Sequence, residues 1–265
     1  FPAYADHIYF PQHQVVGNIE HSLRRLTKLC NGTHQSRYGL RKAQQSLRLA
    51  PGETPAWDFS RAKQLGVKFR ASICRGAKMS GSAPIKPQFL AAATRAALPD
   101  DGIVTLDNGI HKLWFTRNFP MRYPRSHIVD SALGAMGPAL PAAIAASLAY
   151  PDRSVLAVAG DGGFMMNAQE LETAHRLKLS IVVMILNDNG LGMIRMKQEM
   201  EGTKPHAVDF GNPDFVKLAE AHGACGHRPE NGKDLLRILD EAIAGGLHVI
   251  DVPIDYGENQ SLLEE

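Results

Sequence analysis

Two short acidic segments have the residue types needed to hold a metal-bridged phosphate. Gly160-Asp161-Gly162-Gly163 follows the apolar run Val155 to Ala159, and Asn187-Asp188-Asn189-Gly190 follows the run Ile181 to Leu186. Glycines let backbone amides approach an anion closely, and a helix starting at such a turn presents its positive end to the same space. A carboxylate there adds a hard oxygen ligand. Magnesium takes six oxygens, shared among carboxylates, carbonyls, water and ligand phosphate, so Asp161 and Asp188 on neighbouring strand tips would suit it. A strand-to-helix turn without ligand explains Gly-Asp-Gly-Gly alone equally well. The pairing is more specific, because Asp188 follows Asp161 by 27 residues with one helix pattern and one apolar strand between them.

Competing glycine motifs fail at identifiable positions. A dinucleotide fingerprint begun at Gly160 requires glycine where Met165 stands, and one begun at Gly190 requires it where Arg195 stands. A Walker loop ending at Gly232-Lys233 is excluded by His227 and Asp234.

The elements that must carry these tips form a regular alternation after Pro84 and Pro87. Short β-rich runs are expected at Ile103 to Leu106, Val155 to Ala159, Ile181 to Leu186 and His248 to Ile254. Helices are expected at Gln88 to Ala97, Ala139 to Tyr150, Met165 to Leu177, Pro213 to His222 and Lys233 to Ala244. Apolar strands separated by helices specify an α/β fold, a doubly wound parallel sheet with helices on both faces. In such sheets ligands bind beyond the carboxyl ends of the strands, where both acidic tips fall. Asn167 with Glu170 three residues on reads as a capping box, and Asn212-Pro213 as a helix start with proline in first position.

Upstream the texture differs. Val15-Val16 followed by Ile19, Leu23, Leu26 and Leu29 reads as one strand and one helix ending at Asn31-Gly32, too little to close a core. Residues 33–80 read as a basic, polar linker with helical patches at Arg37 to Leu49 and Phe59 to Leu65, leaving 81–265 as the main domain. The sequence opens on Phe1, and its first residues read as the close of an element series, so a fragment of a longer protein is expected.

Composition narrows the partners. With 29 Lys plus Arg against 27 Asp plus Glu, the net charge of +2 gives no field for gripping nucleic acid or an anionic membrane. The longest aliphatic run spans Ile181 to Leu186, far short of the roughly 20 residues a membrane helix requires, and no signal-peptide pattern opens the chain. A cytoplasmic location and small-molecule partners are expected. Cys30, Cys74 and Cys225 form no C-x-x-C pair and read as inert packing thiols. Glu170, Glu172 and His175 share one short helix and read as a solvated or capping face.

The two tips at this spacing resemble the thiamine-diphosphate motif, and the sequence resembles acetolactate synthase-like thiamine-diphosphate enzymes. Leu133-Gly134-Ala135-Met136-Gly137 and Leu140-Pro141-Ala142-Ala143 resemble the segment that precedes the metal motif in those enzymes. Asp188, where the family more often has Asn, together with Glu170-Leu171-Glu172-Thr173-Ala174, Val208-Asp209-Phe210-Gly211-Asn212 and Val252-Pro253-Ile254-Asp255-Tyr256, resembles the catabolic branch. Lys197 departs from both branches, which carry Trp or Gln there.

The resemblance implies a role for each site residue. Met136 would wedge between the cofactor's two rings, and the Gly134 backbone would contact its aminopyrimidine. Gly109, Ile110 and His111 match the loop holding the far side of the diphosphate, although a surface loop is an equal reading for His111. Gly160, Asp161, Gly162, Gly163, Asp188, Gly190, Leu191, Gly192 and Met193 complete the cofactor site, with Asp161, Asp188 and the Gly190 carbonyl as magnesium ligands. Arg195, Lys197 and Gln198 stand between lining an acceptor pocket and facing water.

The implied reaction decarboxylates a 2-keto acid such as pyruvate and joins the two-carbon unit to a second keto acid, giving 2-acetolactate. The activating glutamate belongs to a pyrimidine-binding domain outside these residues, supplied by a partner subunit in a homodimer or homotetramer, so the chain alone is expected to be inactive. FAD occurs in the family, but nothing in these residues calls for it. Glyoxylate carboligase, sulfoacetaldehyde acetyltransferase and 2-keto-acid decarboxylase are the alternatives within the superfamily. A non-catalytic binding or assembly module is the alternative outside it, and intact Asp161 and Asp188 argue against that.

Overall fold

The computed structural model describes residues 60–74 and 81–262. The expected central-domain tail at 1–32, the linker up to residue 59 and Cys30 lie outside the described residues. The chain divides into two compact units, 1–65 and 66–265. Helix α1, Ser60–Cys74, continues well past the Leu65 at which the sequence pattern ends.

From Pro87 onward the elements alternate. They run α2 (Pro87–Ala97), β1 (Ile103–Leu106), α3 (Ile110–Asn118), β2 (His127–Val129), α4 (Ala139–Ala149), β3 (Val155–Gly160), α5 (Asp161–Met166) and α6 (Glu170–Arg176). Then follow β4 (Ile181–Asn187), α7 (Gly192–Met200), α8 (Phe215–Ala221), β5 (Cys225–His227), α9 (Gly232–Ile243) and β6 (Leu247–Pro253). The strands form one sheet in the order β2-β1-β3-β4-β6-β5, parallel throughout. The chain winds outward from β1 to β2, then crosses back to β3, so a topological switch point opens between β1 and β3.

Alternate strand residues feed two cores. Val104, Leu106, Leu156, Val158, Val182, Met184, Leu186, Ile250 and Val252 pack under α2, α3 and α9. Their neighbours Ile103, Val155, Ala157, Ile181, Val183, Ile185 and Val249 pack under α4, α6 and α8. The expected doubly wound sheet covered on both faces is what forms. Phe164, immediately after the Gly-Asp-Gly-Gly turn, meets the fully buried Phe215 edge-on with ring centroids 5.6 Å apart. That contact ties α5 to α8 beneath the acidic tips, and truncating Phe215 to alanine would cost about 3–5 kcal/mol.

Several local readings are corrected. The helix expected from Met165 to Leu177 is two helices, broken at 167–169, because the Asn167 amide donates to the Gly137 carbonyl at 2.8 Å instead of capping. Pro213 precedes α8 instead of starting it, and Asp214 is the cap, accepting from the amides of Val216 and Lys217. The edge strands β2 and β5 carry no apolar run, which left them out of the pattern. Cys225, on edge strand β5, is exposed and so is not a packing thiol. Glu172 is exposed and pairs with Arg176 at 3.1 Å, as a solvated face requires. No described helix is long and apolar enough to cross a membrane.

Candidate functional site

The carboxyl ends of β1, β3 and β4 border one cleft of about 660 Å³, counted to its open mouth. From β1 come Gly109, Ile110 and His111 at the start of α3; from β3 come Gly160, Gly162 and Gly163; from β4 come Asp188, Gly190, Leu191, Gly192 and Met193. Gly134 and Met136 reach it from the loop before α4. Asp161 is the one expected residue not in the lining; it lies immediately behind, 1% exposed. Helices α3 and α7, nine residues each, both begin at this cleft and aim their N-terminal amides into it.

The loop carrying Met136 is pinned from β1. Asp107, buried at the tip of β1, accepts from the Gly137 amide at 2.9 and 3.0 Å and from the Asn108 amide at 2.6 Å. The Asn108 side chain donates to the Ala135 carbonyl. Gly137 has φ +95°, and a Cβ there would lie 2.7 Å from the Asn167 amide nitrogen, so the clamp requires glycine. Met136 is thereby held half-buried at the lip and is not a core side chain. Gly163 leaves room for Asp107 itself, whose carboxylate would sit 3.1 Å from a Cβ.

The two acidic residues face one another across the β3 and β4 tips. Asp161 accepts from the amides of Gly162 at 2.8 Å and Gly190 at 3.2 Å and from the Asn212 side chain at 2.8 Å. Burial nonetheless pushes its pKa up, those bonds opposing it. Asp188 rises to about 6, first from burial and then from the negative charge of Asp161, against the pull of Arg195. Arg195 bonds the outer oxygen of Asp188 at 3.0 Å and also pairs with Asp209. Lys197 is exposed, and Gln198 bonds the His206 backbone at 2.9 and 3.2 Å, so neither lines the cleft.

Behind the tips runs a polar relay that sequence reasoning missed. Arg228 bonds the fully buried Asp251 at 2.7 and 2.8 Å, and Asp251 accepts from the Asn187 side chain at 2.9 Å. Asn187 accepts from Asn212 at 3.0 Å, which in turn holds Asp161. An acidic residue inside the apolar run His248 to Ile254 was the available signal. His111 is only 3% exposed, which removes the surface-loop reading. Burial pulls its pKa down to about 4, and its Nε2 has no hydrogen-bond partner.

These residues fit a metal-bridged diphosphate. Seven glycines and two helix N-termini supply room and backbone donors for an anion, beside the buried His111 imidazole with its unpartnered Nε2. Two mutually repelling carboxylates, Asp161 buried and Asp188 partly exposed, with a nearby carbonyl supply hard oxygens for a divalent cation. Among the described residues no group of three or more His, Cys, Asp or Glu could hold a metal by itself. A cation here would therefore complete its shell from backbone, water and phosphate oxygens.

Comparison with known proteins points the same way. Residues 107–252 match the family described as thiamine pyrophosphate enzyme, C-terminal TPP binding domain. The acetolactate synthase of Bacillus subtilis (strain 168) is 41% identical over 180 residues, 68% of this chain and 32% of that protein. The catabolic acetolactate synthase of Raoultella terrigena is 31% identical over 264 residues, 99% of this chain and 44% of that protein. Among solved structures, the thiamine diphosphate-dependent 4-hydroxybenzoylformate decarboxylase of Rhodococcus jostii RHA1 superposes with a TM-score of 0.63 at 30% identity, covering 67% of this chain and 34% of that one. The chain thus spans between about a third and under half of the length of these relatives.

Proposed function

The chain belongs to the thiamine pyrophosphate enzyme family through its C-terminal TPP-binding domain, and from that premise we propose that it is the diphosphate-and-magnesium half of an acetolactate-forming carboligase. The observation that carries this is the convergence of Asp161, Asp188 and six cleft glycines at the tips of β1, β3 and β4. Asp161, Asp188 and the Gly190 carbonyl would hold Mg2+, and the amides opening α3 and α7 would hold the diphosphate. Met136, fixed by the Asp107 and Asn167 clamp on Gly137, would set the folded shape of the cofactor.

Thiamine diphosphate, when bound, supplies the electron sink on which a 2-keto acid loses carbon dioxide. This chain's contribution is anchoring, charge neutralisation and orientation. The activating glutamate comes from a pyrimidine-binding domain outside these residues, contributed by a second subunit in a cytoplasmic homodimer or homotetramer. Support for such a covering partner comes from the apolar rim: Leu133 is 92% exposed, and Met166 and Ile194 are 54% and 44% exposed.

Thermal unfolding tests the cofactor assignment. Mg2+ with thiamine diphosphate should raise the melting temperature, EDTA should cancel the rise, and Asp161→Ala should abolish it. A likeness to a decarboxylase keeps a second reading open, in which the two-carbon unit is released instead of joined. With pyruvate and a pyrimidine-binding domain supplied in trans, 2-acetolactate supports the carboligase and acetaldehyde the decarboxylase. Turnover by the chain alone would sink the two-domain reading.

A further inference from the structure

Two buried polar atoms without a hydrogen-bond partner belong to residues that border the cleft, His111 Nε2 and the Tyr256 hydroxyl. The first is already placed at the expected diphosphate loop. The second lies outside every glycine-rich segment. Tyr256 stands three residues beyond the end of β6, where Asn187 pairs with Pro253 and the Ile254 amide donates to the Asn187 carbonyl at 3.1 Å. The segment therefore leaves the sheet beside the tip that carries Asp188. Its ring packs against Ile110, Trp114 and Met196, which belong to the two helices that open at the cleft.

The position is fixed, not incidental. The Asp255 amide donates to the Ile85 carbonyl at 2.9 Å, the Asn259 amide donates to the Tyr256 carbonyl at 3.0 Å, and Asn259 accepts from the Trp114 indole at 2.8 Å. An unpaired buried hydroxyl carries a desolvation cost that no bond offsets. Phenylalanine would fill the same space without that cost. Burial, with the charges of Asp188 and Asp161, holds the phenol protonated, so the group is a donor in want of an acceptor.

We propose that the Tyr256 hydroxyl donates a hydrogen bond to a phosphate oxygen of the diphosphate bound in this cleft, which makes Tyr256 a cofactor-binding residue supplied by the segment after β6. The assignment rests on the cofactor reading above. It predicts effects of opposite sign on the free and the liganded protein. Removing the hydroxyl relieves the free protein of an unsatisfied group and deprives the liganded protein of a charge-assisted bond.

The test compares the full chain with Tyr256→Phe, titrated with Mg2+ plus inorganic diphosphate and with Mg2+ plus thiamine diphosphate, by calorimetry and thermal unfolding. The variant should melt at or above the wild type without ligand and bind both ligands about tenfold more weakly. Equal affinities would overturn the assignment, and so would a lower ligand-free melting temperature with unchanged affinity, which marks a structural hydroxyl. Failure of the wild type to bind either ligand would bring down the cofactor reading, and this inference with it. Wild-type binding matched by the variant would bring down the tyrosine alone.

Discussion

Acidification should destabilise the ligand-free protein through His111. The imidazole sits 3% exposed in the first turn of α3, its ring donating to the Asp107 backbone carbonyl and its Nε2 unpaired. Burial is the main reason its pKa falls from 6.5 to about 4, with Lys112 adding to the fall. In the unfolded chain the ring takes its proton near pH 6.5, whereas the folded protein refuses it until about pH 4. The unfolded state therefore binds more protons in that window, so stability present above pH 6.5 is lost as pH falls towards 4. At 1.36 kcal/mol per unit the full loss is about 3 kcal/mol, of which about 2 kcal/mol is gone by pH 5. Asp161 and Asp188 have raised pKa values and act in the opposite direction, so the contribution must be read as a difference between proteins. His111→Gln keeps an N–H for the Asp107 carbonyl and does not titrate. In urea unfolding with EDTA, the wild type should lose about 2 kcal/mol more than this variant between pH 7 and pH 5. Parallel pH profiles for the two proteins would refute the argument. Saturating Mg2+ and thiamine diphosphate should narrow the gap, because a protonated Nε2 then gains an anion to donate to.

Asp188→Asn should stabilise the metal-free protein at pH 7.5. The ionised carboxylate is disfavoured by burial and by Asp161, and a pKa of about 6 against 3.8 sets an upper limit of about 3 kcal/mol. The advantage should shrink by roughly half at pH 5 in the same unfolding assay, since acid neutralises the wild-type group. Asp251→Ala should cost about 2–4 kcal/mol, because it strands the Asn187 amide and frees Arg228, and it should also weaken Mg2+ dependence of cofactor binding through Asn212. Asp251→Asn should recover part of the stability. Gly190→Ala should impair metal-dependent cofactor binding, since its Cβ would meet the Arg195 guanidinium and stand 2.7 Å from the Val208 carbonyl oxygen. Calorimetric titration of the folded variant checks that outcome.

The sheet's centre was legible because β3 and β4 are apolar on both faces, a continuous run of Val, Ile, Leu, Met and Ala that announces burial, and β6 departs from that pattern only at His248 and Asp251 before its closing Pro253. Each of these strands begins and ends within a residue of its expected limits. Their tips were legible for a related reason: glycine and acid directly after such a run interrupt a pattern that packing alone would not interrupt. The edge strands were silent because β2 and β5 are three residues long, and Cys225-Gly226-His227 has no apolar alternation.

The supporting shell was silent for a deeper reason. Asn212 reaches Asp161 across 51 residues, and Asn187 reaches Asp251 across 64, so no local period records either bond. Asn167 shows how such bonds override local signals: its spacing to Glu170 reads as a cap, yet its amide is taken by the Gly137 carbonyl and the helix divides there. What the sequence writes locally is where the diphosphate and the metal could sit. What orients the ligands, in the relay from Arg228 to Asp161 and the clamp from Asp107 to Met136, is written only in contacts between elements. The aspartate inside β6 is the one member that betrays itself, because a carboxylate at the centre of an apolar strand demands partners that the strand cannot supply.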